Sequence, residues 1–124
     1  MTGTEFLARK KSAERRGRRS EIFASALLML KGYRILGWRV RTKLGEIDLI
    51  ARSPGGIVCF IEVKARGESR TAVESVGARQ QARIARAASL YLAQHPSLAR
   101  KGVRFDIVTV AGGFPRHFRD AFRP

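Results

Sequence analysis

The sequence is short of cysteine and of long apolar runs, and each shortage excludes a class of protein. Its one cysteine, Cys59, cannot form a disulfide within the chain or a cysteine-rich zinc site, so we expect a small core residue there. No segment holds the roughly 20 apolar residues that a membrane helix needs, and the first residues lack the apolar stretch of a secretory signal. We therefore expect a soluble, cytoplasmic protein without a membrane partner.

Acidic residues are also scarce. Asp and Glu number 10 against 25 for Lys and Arg, which gives a net charge of +15 over 124 residues. Such a surplus repels itself unless it is spread out or matched by a polyanion, so nucleic acid is the first candidate partner and an anionic surface the second. A soluble protein that merely favours arginine is the remaining interpretation.

Two segments concentrate the positive charge. Residues 9–19 carry seven basic residues and one acid, and we expect residues 1–19 to form a basic, mobile arm ahead of a single domain over residues 20–124. In the second predicted helix, Arg79, Arg83 and Arg86 recur at i, i+4 and i+7 and form one stripe. Both segments fit contacts with phosphates, and both fit a solvated surface.

The hydrophobic pattern predicts an α/β protein. Apolar spacing predicts a first helix over about residues 20–31 and a second from about Val73 or Val76 to Gln94. Alternating or apolar runs predict strands over residues 33–41, 46–51, 57–64 and 103–110, with a bulge at Gly37 and a short terminal element after residue 112. Turn residues at 52–56 predict that the second and third strands form a hairpin. The order is αβββαβ, with a mixed central sheet flanked by helices.

Charged residues inside two apolar strands mark the candidate site. Glu46 and Asp48 share one face of the second strand, and Glu62 and Lys64 share one face of the third. If the hairpin sets Asp48 opposite Glu62, two carboxylates meet beside a lysine, an arrangement suited to magnesium. A structural ion pair between Lys64 and either acid explains the same residues, and the two interpretations remain open at this point.

The blocks GEIDLIA (residues 45–51) and FIEVKAR (residues 60–66), in this order and spacing, resemble the PD-(D/E)xK signature of restriction-endonuclease-like and Holliday-junction-resolvase-like proteins. Together with the first helix, GYRIL (residues 32–36) and RFD (residues 104–106), they resemble the YraN-type family of predicted bacterial endonucleases. The resemblance runs from about residue 14 to residue 122.

The resemblance implies roles for particular residues. Asp48 and Glu62 match the metal-binding acids, Lys64 matches the catalytic lysine, and Glu21 matches a helix-one glutamate that serves as a further ligand or positioning group. Glu46 matches the Gly-Glu pair of the family. Gln80 stands where family members often have a lysine, and its amide would hydrogen-bond a water or a phosphate beside the arginine stripe.

The function that this resemblance implies is magnesium-dependent hydrolysis of phosphodiester bonds in DNA, with manganese as an alternative metal and branched DNA as a candidate substrate. A homodimer would supply the two sites that junction cutting requires. The alternative is a nucleic-acid-binding protein that keeps the nuclease fold without independent catalytic activity. A basic interaction protein of the ribosome or nucleoid is a third, weaker hypothesis.

Overall fold

The computed structural model describes residues 2–65 and 76–124, and for residues 5–17 it describes the backbone alone. The possible start of the second helix near Val73 lies outside the described residues. The elements are α1 (Gly3–Leu30), β1 (Arg34–Thr42), β2 (Gly45–Arg52), β3 (Val58–Lys64), α2 (Ala78–Gln94), a 3-10 helix (Leu98–Lys101), β4 (Val103–Ala111) and β5 (Phe114–Phe118).

The strands form one sheet in the order β1-β2-β3-β4-β5. Neighbours are antiparallel except β3 and β4, which are parallel because α2 carries the chain from the end of one to the start of the other. The predicted αβββαβ order and mixed sheet are confirmed, and the terminal element proves to be a fifth strand. The bulge at Gly37 is confirmed by a register shift between Ile35 and Gly37.

Helix α1 begins at Gly3, well before the predicted start near residue 20. Apolar periodicity appears only in its second half, whereas half of the residues in its first half are charged residues, which have good intrinsic helix propensity but form no apolar stripe. The division into an arm over residues 1–19 and a domain over residues 20–124 stays a prediction. Among the described residues, no helix combines the length and apolar character needed to cross a membrane.

The C-terminus of α1 is closed by a Schellman motif. The amide of Tyr33 donates to the carbonyl of Leu28 at 2.9 Å, and the amide of Gly32 donates to the carbonyl of Met29 at 3.0 Å. Gly32 has φ 87°, a left-handed conformation that glycine adopts without a Cβ clash. The motif directs the chain from α1 into β1.

The two helices cover opposite faces of the sheet. On one face Ala24 and Leu28 of α1 pack in a cluster with Leu49, Ile61 and Val108. On the other face Ala87 and Ala88 of α2 pack in a cluster with Ile50 and Phe60, and a smaller cluster gathers around Ile84 and Ile107. The candidate site therefore rests on strands that are fixed from both sides.

Candidate active site

The β2–β3 hairpin brings Asp48 and Glu62 together. Its pairing runs from Arg52 opposite Val58 to Leu49 opposite Ile61, and the next residue along each strand is an acid. Beyond that point the backbone amide of Val63 donates to Oδ2 of Asp48 at 2.8 Å. The register that the sequence left open is thus the one that sets the two carboxylates side by side.

The two carboxyl groups share a hydrogen bond and perturb each other. Burial and, after it, the negative charge of Asp48 raise the pKa of Glu62 to about 8, although Lys64 opposes the shift. Burial also raises the pKa of Asp48, against the amide of Val63 and the charge of Lys64, which lower it. One cation does not fully compensate two buried acids, so the pair retains a proton near neutral pH.

Glu62 is held by two further side chains. Nε2 of Gln80, on α2, donates to Oε1 of Glu62 at 3.0 Å. Nζ of Lys64 lies 3.7 Å from the same oxygen, and only 19% of the lysine side chain and 12% of the glutamate side chain are exposed. Gln80 therefore lies in the site itself, where it orients Glu62, rather than only beside the arginine stripe.

Glu21 lies near this group but has its own cation. Nε of Arg39 lies 2.8 Å from Oε2 and 3.0 Å from Oε1 of Glu21, a pairing that uses both carboxylate oxygens. Burial raises the pKa of Glu21 although Arg39 lowers it, and the charges of Asp48 and Glu46 add to the rise. The carboxylate is thus close enough to feel Asp48, and in this conformation it serves as the partner of Arg39.

Arg39 is the residue of this region that sequence patterns did not single out. Its backbone φ is 45°, which is uncommon for a residue other than glycine. Such a conformation costs on the order of 1–3 kcal/mol. Next to it, Nε1 of Trp38 donates to Oγ of Ser25, which in turn donates to the carbonyl of Glu21. The alternation of arginines in β1 was visible in the sequence, but nothing in it showed which arginine would face Glu21.

The remaining predicted residues lie at the surface. Glu46 faces Arg41 across 3.5 Å, and 42% of its side chain is exposed, so this pair contributes little to stability. Arg79, Arg83 and Arg86 are exposed along α2 and have no hydrogen bond or ion pair with described residues. Arg79 immediately precedes Gln80, so the stripe begins beside Glu62.

The paired carboxylates are the donors that this site would offer to a metal ion. Within residues 2–65 and 76–124 no group of three or more Asp, Glu, His or Cys side chains is arranged to hold a metal. Magnesium, however, is commonly held by one or two carboxylates plus waters and substrate phosphates rather than by a full protein cage. Asp48 and Glu62, which repel each other and hold a proton, form such a pair.

The raised pKa of Glu62 predicts a pH-dependent stability. Between the ordinary value of 4.5 and about 8, the folded protein binds a proton that the unfolded chain releases. The stability that this group contributes is complete below pH 4.5 and is lost as the pH rises through about 8. Urea unfolding of the wild type and Glu62→Gln should show the variant gaining stability relative to the wild type over this range.

The matched control for that experiment is Glu46→Gln, since Glu46 lies on the adjacent strand with a much more exposed side chain. The difference in stability between the wild type and Glu46→Gln should change less with pH than the difference between the wild type and Glu62→Gln. A stability difference between the wild type and Glu62→Gln that stays constant from about pH 5 to about pH 9 would contradict the prediction.

The element order and the mixed sheet define an α/β protein with a restriction-endonuclease-like core. Comparison with protein families matches residues 20–110 to "Uncharacterised protein family UPF0102". The chain therefore belongs to the UPF0102 family, and the YraN-type resemblance is confirmed at the level of family membership.

Similar proteins match over almost the whole chain. A UPF0102 protein of Rhizobium etli is 52% identical over 123 residues, which cover 98% of this chain and 100% of the relative. One from Agrobacterium fabrum is 50% identical over 115 residues, covering 92% of this chain and 93% of the relative. One from Maricaulis maris is 48% identical over 116 residues, covering 93% of this chain and 91% of the relative.

Proposed function

We propose that this protein is a magnesium-dependent endonuclease that hydrolyses phosphodiester bonds in DNA. The observation that carries the proposal is the pairing of Asp48 with Glu62 at the end of the β2–β3 ladder, with Lys64 at 3.7 Å from Glu62. Paired acids with a lysine beside them are what the PD-(D/E)xK resemblance implies. A purely structural ion pair would need only one acid for one lysine.

Each carboxylate of the pair is oriented by one N–H donor. Val63 fixes Oδ2 of Asp48 and Gln80 fixes Oε1 of Glu62, and a metal would take the place of the proton that the two carboxyl groups share. Asp48 and Glu62 would hold the metal, and a bound magnesium ion supplies Lewis-acid activation of water and of the phosphate. Lys64 would orient the attacking water or neutralise charge that develops on the phosphate oxygens.

The exposed arginines of α2 supply the attraction for the DNA backbone. Arg79, Arg83 and Arg86 run along one side of the helix from the position next to Gln80, so a strand that follows the stripe passes the carboxylate pair. The net charge of +15 favours association with a polyanion of any sequence. The described residues form one sheet with its helices and offer no separate base-reading module, which favours recognition of DNA structure over base sequence.

The direct test is a cleavage panel. The purified chain is incubated with end-labelled duplex, single-stranded, flap and four-way-junction DNA and with RNA, in magnesium, in manganese and in chelator. We expect cleavage of DNA with either metal and none in chelator, with structured DNA cut faster than duplex. Absence of cleavage on every substrate with both metals would reject the proposal.

The raised pKa of Glu62 favours one second candidate, a nucleic-acid-binding protein without independent catalysis. A carboxyl group that keeps its proton at neutral pH is a poor metal ligand until the metal displaces that proton. Binding of DNA that persists in chelator, together with no cleavage anywhere in the panel, would support this candidate. Metal-dependent cleavage that strengthens from about pH 6 to about pH 9 would support the nuclease.

A further inference from the structure

A cationic cleft lies at the end of the β2–β3 hairpin opposite to the carboxylate pair. Its volume is about 440 Å³, and it lies between the hairpin turn and the 3-10 helix (Leu98–Lys101). Arg52, Ser53, Ser97, Arg100 and Lys101 supply its polar lining. Arg52 follows Asp48 by four residues on β2, so about 13 Å separate the cleft from the carboxylate pair at roughly 3.3 Å per residue.

The described residues that line the cleft include cations and no acid. The cations are Arg52, Arg100 and Lys101, and none of the three has an ion pair with a described residue. Nε of Arg52 is buried and has no hydrogen-bond partner. A partly buried guanidinium beside two further cations is costly unless an anion compensates it. This arrangement therefore points to an anionic ligand.

The walls of the cleft are preformed. In the hairpin turn, the amide of Ser53 donates to the carbonyl of Ile57 at 2.8 Å, and Oγ of Ser53 accepts the amide of Ile57 at 3.0 Å. Gly56 has φ 93°, and a Cβ at this position would lie 2.6 Å from Cδ of Lys101. The stem of Lys101 thus packs directly on the turn, which fixes the 3-10 helix against the hairpin.

We propose that this cleft binds a phosphate group of a nucleic-acid strand. Arginine presents a planar set of donors that matches phosphate oxygens, and lysine and serine add further donors. No aromatic side chain is found among the described residues that line the cleft, so recognition rests on the phosphate rather than on base stacking. The volume exceeds what a lone phosphate ion fills, which favours a phosphate attached to a larger molecule.

The binding requires neither the metal nor cleavage, so the proposal stands apart from the proposed hydrolysis. The first measurement follows backbone amide resonances by NMR, in chelator, as inorganic phosphate, a nucleoside monophosphate or a short oligonucleotide is added. We expect each ligand to shift the amides of Ser53, Gly56 and Lys101, with the oligonucleotide saturating at the lowest concentration. Shifts in this cleft with the mononucleotide but not with the oligonucleotide would overturn the assignment to a strand.

The second measurement uses variants. Arg52→Gln and Arg100→Gln each remove one cation from the cleft, and the exposure of Arg100 makes its replacement safe for folding. Arg119→Gln is the matched control, since it removes the same charge from an exposed position just beyond β5, on the far side of the sheet order from β2. Oligonucleotide affinity is measured by fluorescence anisotropy as a function of salt, in chelator.

We expect each cleft variant to weaken binding by about fivefold to tenfold and to lower the slope of log affinity against log salt by about one, as loss of one phosphate contact does. Arg119→Gln should leave the slope unchanged. Equal effects of all three variants would overturn the proposal, since they would show a response to net charge alone. Unchanged affinity in both cleft variants would overturn it as well.

Discussion

Asp48→Asn is expected to lower metal-dependent cleavage by at least about a hundredfold while DNA binding is retained. Loss of one electrostatic contact to the transition state typically costs about 10²–10³ in rate, and Asp48 supplies half of the carboxylate pair. Asn is the informative replacement because its side-chain oxygen can still accept the amide of Val63, which Asp48 holds at 2.8 Å. The fold should therefore survive. Glu62→Gln should have a similar effect.

The control for this experiment is Asp120→Asn. Asp120 lies after β5, 40% of its side chain is exposed, and its partner is the surface residue Arg123. Cleavage rates are measured on the substrate cut fastest in the panel, and affinities are measured on the same DNA in chelator. Wild-type cleavage in both Asp48→Asn and Glu62→Gln would reject the catalytic assignment. A loss of binding equal to the loss of cleavage would indicate that the acids position the DNA rather than the metal.

The sequence was sufficient for the parts of the fold that local patterns specify. Alternation in β1, apolar runs in β2 and β3 and the turn residues between them predicted the hairpin, and strand parity predicted that Asp48 and Glu62 share a surface. The register was decided by the hairpin turn, where Ser53 and Ile57 bond each other twice. Sequence patterns do not encode that choice directly.

Contacts between elements distant in the chain were beyond sequence reasoning. Gln80 reaches Glu62 because the α2 crossover returns over the sheet, and Arg39 reaches Glu21 because α1 crosses β1. Hydrophobic periodicity did not predict the early start of α1, because a run of basic residues has helix propensity but no apolar stripe. Sequence patterns therefore do not predict contacts that depend on tertiary packing. They also do not predict a helical segment that has helix propensity but no apolar periodicity.

Asp106 is another residue whose partners sequence patterns did not predict. It lies on the side of the sheet opposite to α2. It lies in the apolar strand β4 with its side chain fully buried, and the sequence showed no partner for it. In the structure, Arg104 donates to both of its oxygens at 2.8 Å, His117 of β5 lies 2.7 Å from Oδ2, and the amide of Asp120 donates to Oδ1 at 2.9 Å. One carboxylate therefore joins β4, β5 and the C-terminal segment.

Asp106→Ala is expected to destabilise the protein by about 3–5 kcal/mol, because removal of one member of a buried charged network leaves the others uncompensated. Side chains of Arg104 and His117 are only 15% and 2% exposed, so water cannot replace the lost carboxylate. The free energy of unfolding is measured by urea titration, with Asp120→Ala as the control for loss of an acid from the same region. A change no larger than that of the control would contradict the prediction.

The same network predicts acid sensitivity. Burial alone would raise the pKa of Asp106, but hydrogen bonds from His117, Arg104 and the amide of Asp120 outweigh it and lower the pKa below 3.8. The folded state therefore binds this proton less tightly than the unfolded chain, so the stabilisation is complete above pH 3.8 and is lost as the pH falls below it. Asp106→Asn should lose this acid-dependent component, and the difference in stability between the wild type and the variant should shrink on acidification. A difference that stays constant down to about pH 2 would show that the carboxylate charge does not stabilise the fold.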